Sequence, residues 1–395
     1  MRTRSQLHPR RRFIRTTGGA IIAAALPLSG CEAFSGVPES ATAAWQPVSE
    51  TSDPRLAALA YAILAPNPHN RQPWLVDLSS ADEVIIRIDS SRLLPQTDPF
   101  SRQILIGTGS MVGLLELASA ALGYDTKTVL FEESEFGASI DQRIVARVRL
   151  SKLGTSAETS DKSLFSQITK RRTVRGPYDP SRLPPPEFSN FLMTHSAPGL
   201  IMGLVSSDND NFEKISTLAK QAWQIELTTP RTMMESINLL RVGGKEIDQY
   251  RDGITINDPS LILLDKLGLF DRTQPPAPGS KALNTQIENF NEAIDRTPSY
   301  FWLKSQTNTR RDQINTGRAY VTAHLHATEL GMVMHPLSQA LQEYPEMKRH
   351  FSAIQQLLGN KNETVQMLCR VGYLPTGQVV PGPSPRRGLQ AHLQI

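Results

Sequence analysis

Two cysteines, Cys31 and Cys369, are all that 395 residues contain. A disulfide-stapled fold and a cysteine-built metal centre are therefore excluded as organising principles. Cys369 lies in an apolar run, residues 367–371, where it reads as a small core side chain. Several signatures are also missing: Gly-x-Gly-x-x-Gly after a strand, a Walker loop, His-Glu-x-x-His, Cys-x-x-Cys and Gly-x-Ser-x-Gly. Their absence argues against a dinucleotide fold, P-loop phosphoryl transfer, zincin and dithiol chemistry, and an α/β-hydrolase nucleophile. His324 and His326 stand two apart on a helical stretch, so they diverge and make a poor metal pair. No metal is expected. Acidic residues are absent before Glu32, whereas six arginines lie in the first 15 positions. Without residues 1–30 the chain has 36 basic and 38 acidic residues, so the pI near 9.0 belongs to the leader. It gives no reason to expect nucleic acid as a partner.

The leader itself is informative. Arg10-Arg11-Arg12-Phe13-Ile14-Arg15 precedes an acid-free apolar stretch at 18–28, the basic-then-apolar layout of a secretion signal. The arginine pair with Phe13-Ile14-Arg15 fits the twin-arginine export pattern, and the apolar part is too short for a permanent membrane span. Leu28-Ser29-Gly30-Cys31 matches a lipobox, which makes Cys31 the lipidated first residue of an exported protein. The expected location is periplasmic or on the outer surface, held to the membrane by lipid. Residues 1–31 read as signal and 32–52, rich in Ser, Ala, Pro and Glu, as a tether.

Residues 53–150 read as helix, loop, strand (84–88), helix (109–123) and two strands (128–131, 144–150). A polar linker, 151–163, leads to a second half, 160–395, with a helix at 164–170 and a strand at 200–205. Residues 221–304, rich in Met, Arg, Asp and Pro and including Arg251-Asp252-Gly253, read as an insertion able to cover a site. One internal match links the halves. Gly109, Leu117, Leu122 and Gly123 recur as Gly317, Leu325, Leu330 and Gly331, each pattern an apolar helix closing on glycine.

Three stretches offer binding chemistry. Between the first helix and strand runs Ala65-Pro66-Asn67-Pro68-His69-Asn70-Arg71-Gln72-Pro73-Trp74. Its prolines stop the helix and stand Asn67, His69, Asn70 and Gln72 on a stiff loop suited to a planar hydrogen-bonding ligand; taken alone it is equally a connector. Arg171-Arg172-Thr173-Val174-Arg175 supplies forked donors for an anion. On a helix, Arg171 and Arg175 would share a face and Arg172 point away; a solvated basic helix end is the plain alternative. Arg386 and Arg387 near the chain end, or Arg370, could add a further cation, or the terminal pair could be simple solubilising charge.

As a set these stretches resemble the FMN-dependent nitroreductase superfamily, in the order found in its Acg-type branch, whose single chains carry two degenerate halves. The resemblance covers roughly 53–390. It implies an α+β fold, a mostly antiparallel sheet flanked by helices, in two pseudo-repeated halves with FMN between them. It assigns Arg171, Arg172 and Thr173 to the flavin, with Arg175 beside them. Asn67, His69, Asn70 and Gln72 reach in from the opposite half, and Arg386 and Arg387, or Arg370, close on the phosphate. After Gly331, the run Met332-Val333-Met334-His335-Pro336-Leu337 matches the strand whose N–H faces flavin N5. Pro336 has none, which leaves His335, Leu337 or another group. The implied function is hydride or electron transfer from NAD(P)H or another donor, through FMN, to a small nitroaromatic or quinone-type acceptor. The flavin does the redox step, so no side chain is needed as acid or base. An FMN-sequestering or storage lipoprotein is the alternative, and a cofactor-free structural lipoprotein a third. The chain is expected as a monomer of fused halves or as a homodimer.

Overall fold

The computed structural model describes residues 36–46, 51–154 and 162–394, so the twin-arginine stretch and Cys31 lie outside the described residues. A short helix, α1 (Glu39–Thr42), opens them. Next, α2 (Pro54–Ala62) begins under Asp53, whose carboxylate accepts the Arg55 N–H at 2.9 Å, with Pro54 preset for the first turn. Four strands follow: β1 (Trp74–Asp77), β2 (Glu83–Ile88), β3 (Tyr124–Leu130) and β4 (Ala146–Lys152). All pair antiparallel in the order β1-β2-β4-β3. Between β2 and β3 runs α3 (Arg102–Ala121), apolar on every side because it is packed on every side.

The second sheet repeats this plan. Its strands are β5 (Leu200–Ser206), β8 (Ser299–Ser305), β9 (Val333–Pro336) and β10 (Thr364–Gly372), ordered β5-β8-β10-β9; β6 (Leu240–Val242) and β7 (Ile254–Ile256) form a separate parallel pair. In both sheets the chain order of strands is first, second, fourth, third. The helix between second and third strands, here α10 (Arg310–Glu329), is again the central one. Helix α4 (Pro186–Thr194) precedes β5, and α11 (Lys348–Leu358) joins β9 to β10.

The two central helices cross through glycine. A Cβ on Gly109 would sit 2.0 Å from the Ile314 carbonyl oxygen, and one on Gly317 would sit 1.9 Å from that of Ile106. Ile106 and Ile314 are themselves related by the 208-residue offset that relates the two glycines. The same offset links Arg102 to Arg310 and Glu135 to Glu343. Arg102 donates to Glu343 (3.0 Å) and to the Gln366 carbonyl (2.8 Å) in the second half. Arg310 returns to the Gly137 and Phe100 carbonyls in the first, and its N–H donates to Glu135 (2.8 Å). Reciprocal contacts at one constant offset are what a twofold axis between duplicated halves produces.

Three expectations need correction. Residues 299–305 do not belong to an insertion: they are β8, which pairs with both β5 and β10. The connection β5–β8, five residues in the first sheet's β1–β2 turn, here carries α5 (Phe212–Thr228), α6 (Pro230–Asn238), α7 (Gly243–Tyr250), α8 (Pro259–Lys266) and α9 (Lys281–Asp295). Of these, α5 and α9 contribute to the core of the second sheet. Second, the described part of the tether is packed. Ala41 and Trp45 are buried, and the Ala41 carbonyl accepts the Arg386 N–H at 2.9 Å. Third, the stretch around 164–175 is not helical beyond a 3-10 turn at Phe165–Gln167. Thr173 instead bridges Met334 in parallel, so the arginine segment runs extended along the edge of β9. Paired backbone there outweighs helix propensity.

Candidate functional site

The 67–74 loop is shaped by its own amides. Asn67 Oδ1 accepts the Gln72 N–H at 2.8 Å, while its Nδ2 donates to the Ala65 carbonyl at 3.1 Å. His69, Asn70 and Gln72 take φ of 47°, 51° and 49°, the left-handed region that Asn tolerates and His or Gln rarely enter. Such backbone persists only where the surroundings over-determine it. Here they do. Buried Gln72 donates to the Arg251 carbonyl (2.8 Å) and accepts the Arg387 N–H (3.0 Å). Asn70 donates to the Pro385 carbonyl (3.0 Å) and accepts from Arg386 (2.8 Å). From the β5–β8 connection, the Gly253 N–H donates to the Asn70 carbonyl (3.3 Å). Asp252, buried beside it, pairs with Arg92 (2.7 Å), Arg241 (2.9 Å) and Arg71 (3.5 Å). Asn67, Asn70 and Gln72 thus hold the loop; their amides are engaged within the protein.

The tail residues do the same. Arg386 is buried and donates to the carbonyls of Ile63 (3.1 Å), Leu64 (3.1 Å) and Ala65 (3.3 Å), closing the end of α2. Arg387 reaches the Gln72 and Ala391 carbonyls. Arg370 is fully buried, stacks on Tyr178 at 4.0 Å, and donates to the Arg175 and Gly176 carbonyls and to Thr297. It clamps the arginine segment from behind. The side chain of His335, also buried, lies 3.4 Å from Arg370, and burial with Arg370 and Arg175 nearby drives its pKa well down. Leu337 is no N–H donor to a ligand, because its N–H is taken by the Leu368 carbonyl at 2.7 Å.

The remaining cations are the notable group. Arg171 is 3% exposed; its Nη2 makes one long bond to the Leu64 carbonyl (3.3 Å), and its Nη1 is buried without any partner. Desolvation pulls its pKa down to about 10. Arg172 lies under the indole of Trp45 (4.5 Å), which also faces Arg386 (5.1 Å). Among the described residues the Arg175 side chain has no hydrogen-bond or ion-pair partner; the residue is exposed, yet the protein around it depresses its basicity, as the wall of a cleft would. Across from it His69 is pushed down to about 4 by burial and by Arg175 and Arg71, and so is neutral. Thr173 sits half-buried between these arginines. Among the described residues no carboxylate pairs with Arg171, Arg172, Arg175, Arg370, Arg386 or Arg387.

Two contributors escaped the sequence reading. Tyr320 on α10 is buried near both Arg171 and Arg175, and its hydroxyl lies 3.2 Å from His324 Nδ1. His324 Nε2 lies 3.1 Å from the Arg172 carbonyl, tying the arginine segment to the central helix. His326 does diverge, stacking on Phe191 at 3.9 Å. Their spacing gave that divergence; that one would face the arginines follows only from the packing of α10.

A recess of about 230 Å³ opens beside the cluster, between Ala43, Ala60, Arg251, Arg386 and Leu389. Another, about 310 Å³, lies elsewhere, at the start of α10, and includes Glu135 and Glu343, which suit no anion. Among the described residues no three His, Cys, Asp or Glu side chains gather as metal ligands.

No family model matches the chain. A Mycobacterium tuberculosis protein named "Putative NAD(P)H nitroreductase Rv3131" is 22% identical over 337 residues, 84% of this chain and 88% of its own length. Another from that organism, "Uncharacterized protein Rv3127", is 23% identical over 344 residues, 86% of this chain and 92% of its own. Among solved structures, the FMN-dependent nitroreductase NfnB from Mycobacterium smegmatis, in complex with NADPH, aligns with 59% of this chain and 98% of its own. That alignment has 18% identity and a TM-score of 0.36, a likeness too slight to carry weight beside the chain's own geometry.

Proposed function

We propose that the chain is a nitroreductase-like flavoprotein that holds FMN between its halves, on the arginine segment of one and the 67–72 loop of the other. One observation carries the reading: buried Arg171 has an unbonded donor, and among the described residues no carboxylate pairs with it or with the arginines gathered around it. Buried unpaired charge is strongly unfavourable, and an anion with several acceptor oxygens relieves it. The site fits a phosphate-bearing, planar, hydrogen-bonding group of this kind. When bound, FMN supplies the redox chemistry, accepting hydride or electrons and passing them on.

The protein's part is positional. Arg171 Nη1 would donate to an anionic oxygen of the group, with Arg175 beside it on the same segment and neutral His69 across from Arg175. Arg370 and His324 fix the backbone that carries these arginines, and Asp252 fixes the loop through Arg71 and Arg92. The electron donor on this reading is NAD(P)H or another reductant, and the acceptor a small nitroaromatic or quinone. On this reading the leader directs twin-arginine export and Cys31 carries lipid, so that the protein works outside the cytoplasm. A specific feature favours the rival, sequestration: Trp45 covers Arg172 and Arg386, and the loop is locked under the β5–β8 connection.

The test is a visible spectrum of the purified protein, with mass identification of any released cofactor. Absence of flavin, even after incubation with FMN, sinks both readings. With FMN bound, anaerobic NAD(P)H divides them: bleaching supports the reductase, and an unchanged spectrum means sequestration or a different donor.

A further inference from the structure

Helix α8 turns Leu261 inward, onto a small core with Leu240, Val242 and Ile256. Among the described residues its other side is unpartnered. Leu263 and Leu267, four apart and therefore on one face, are 57% and 61% exposed, with Lys266 exposed between them. Two outward leucines on one helical turn invite a cover, and the course of the chain says which.

The described chain begins at the same corner. Gly36 lies against α7, its carbonyl 3.3 Å from where a Gly244 Cβ would be, and Ser40 donates to Asp248 at 2.6 Å. The neighbouring Gly243 abuts Ile262 of α8. Cys31 precedes Gly36 by five residues, which at full extension span at most about 18 Å. A lipid on Cys31 therefore keeps this corner of the β5–β8 connection within about 18 Å of the bilayer surface. A protein so anchored presents the α7–α8 corner to lipid, and α8 there carries two exposed leucines and a lysine.

We propose that α8 seats Leu263 and Leu267 in the membrane surface, with Lys266 at the headgroups, as a second contact beside the lipid anchor. The inference rests on the lipobox reading of Cys31. Two leucines do not hold a protein on a bilayer by themselves, but added to a lipid chain they fix how the protein stands on it.

The experiment uses the full chain, exported with its own leader and reconstituted from membranes into phosphatidylethanolamine–phosphatidylglycerol vesicles. Mass analysis of the N-terminal peptide reports the lipid on Cys31. Leu263→Cys, Leu267→Cys and, as control, Met193→Cys (67% exposed, on α4) each receive a polarity-sensitive thiol dye; Cys369 is fully buried. All three positions are exposed, and melting curves check that each variant is folded. Seating predicts a blue shift and quenching by nitroxide lipids at 263 and 267 and neither at 193. Lipid on Cys31 with water-like emission at all three overturns the seating and leaves the anchor. An unmodified Cys31 overturns both.

Discussion

Replacing Arg171 by Met separates a ligand-binding cation from a structural one, because the two cases differ in sign. In the ligand-free protein Arg171 has one long hydrogen bond, an orphaned Nη1, and Arg172 and Arg386 as its cationic neighbours. Its pKa is pulled down to about 10, which at ~1.4 kcal/mol per pKa step is about 3 kcal/mol held against the charged form at neutral pH. The Leu64 carbonyl that Arg171 touches also accepts from Arg386 at 3.1 Å, so truncation orphans no acceptor. Met fills comparable volume without charge. Arg171→Met is therefore expected to leave ligand-free stability unchanged or raise it by about 1–3 kcal/mol, as seen when buried ions give way to apolar side chains. It is expected to weaken FMN binding by about 10- to 100-fold, the worth of one charge-assisted bond of about 1.5–3 kcal/mol.

Arg386→Met is the control with the opposite sign. It leaves the Ile63 carbonyl and Asn70 Oδ1 short of a donor, at about 1–3 kcal/mol for a buried group. Urea denaturation of ligand-free protein and fluorescence titration with FMN read the two quantities separately. If Arg171→Met destabilises the ligand-free chain as much as Arg386→Met does, or leaves FMN affinity untouched, Arg171 is a structural residue and the reasoning fails.

Gly317→Ala or Gly109→Ala is expected to lower stability by at least about 1–3 kcal/mol in urea, since each new methyl meets the facing helix's backbone. Gly137→Ala, with open space around it, is expected to be neutral. Trp45→Ala removes the aromatic face from Arg172 and Arg386 and is expected to cost about 1–4 kcal/mol in cation–π energy and buried area, read as an earlier melt. Glu226 is buried, accepts from Gln342 at 2.8 Å, and is raised to about 7 by desolvation. A carboxyl whose folded pKa exceeds its unfolded one binds more protons when folded, so its contribution is whole below about pH 4.5 and lost as pH rises through 7. Glu226→Gln is expected to flatten that fall, of about 3 kcal/mol at most, in denaturation midpoints measured from pH 5 to 8.

What the sequence disclosed was chiefly local. The Pro-stopped loop, the central helices with their closing glycines, and the strands of the first sheet follow from proline chemistry and apolar periodicity over short spans. The paired glycines were visible as a spacing; that they let two helices touch backbone to backbone is a fact about two segments 208 residues apart. The arginine segment failed as a helix for the same reason, because Thr173 pairs with Met334 on the edge of β9, while 164–170 holds only a short 3-10 turn. The 221–304 stretch misled because its composition changes gradually while its function changes abruptly, from surface elements to the strand Ser299–Ser305. Asn67, Asn70 and Gln72 are chemically apt for a ligand, and nothing in the chain order says that the loop itself would occupy the first and the tail the other two. Tyr320 and His324 carried no local mark at all.

The duplication also explains why the arginine cluster occurs once. The Asn-x-Gln-Pro-Trp loop precedes β1 and has no counterpart before β5, while Arg171 to Arg175 belongs to the second half and has no described counterpart in the first. Each half supplies one part of the proposed site, so the cluster is a single one across the pseudo-twofold axis and not one of a symmetric pair. The turn between β1 and β2 is five residues long, whereas the matching β5–β8 connection carries five helices, and its Asp252 holds the loop through Arg71 and Arg92. That connection is long on one side only, and it supplies the wall against which Asn70 and Gln72 are held in their left-handed turn, through the Gly253 N–H and the Arg251 carbonyl.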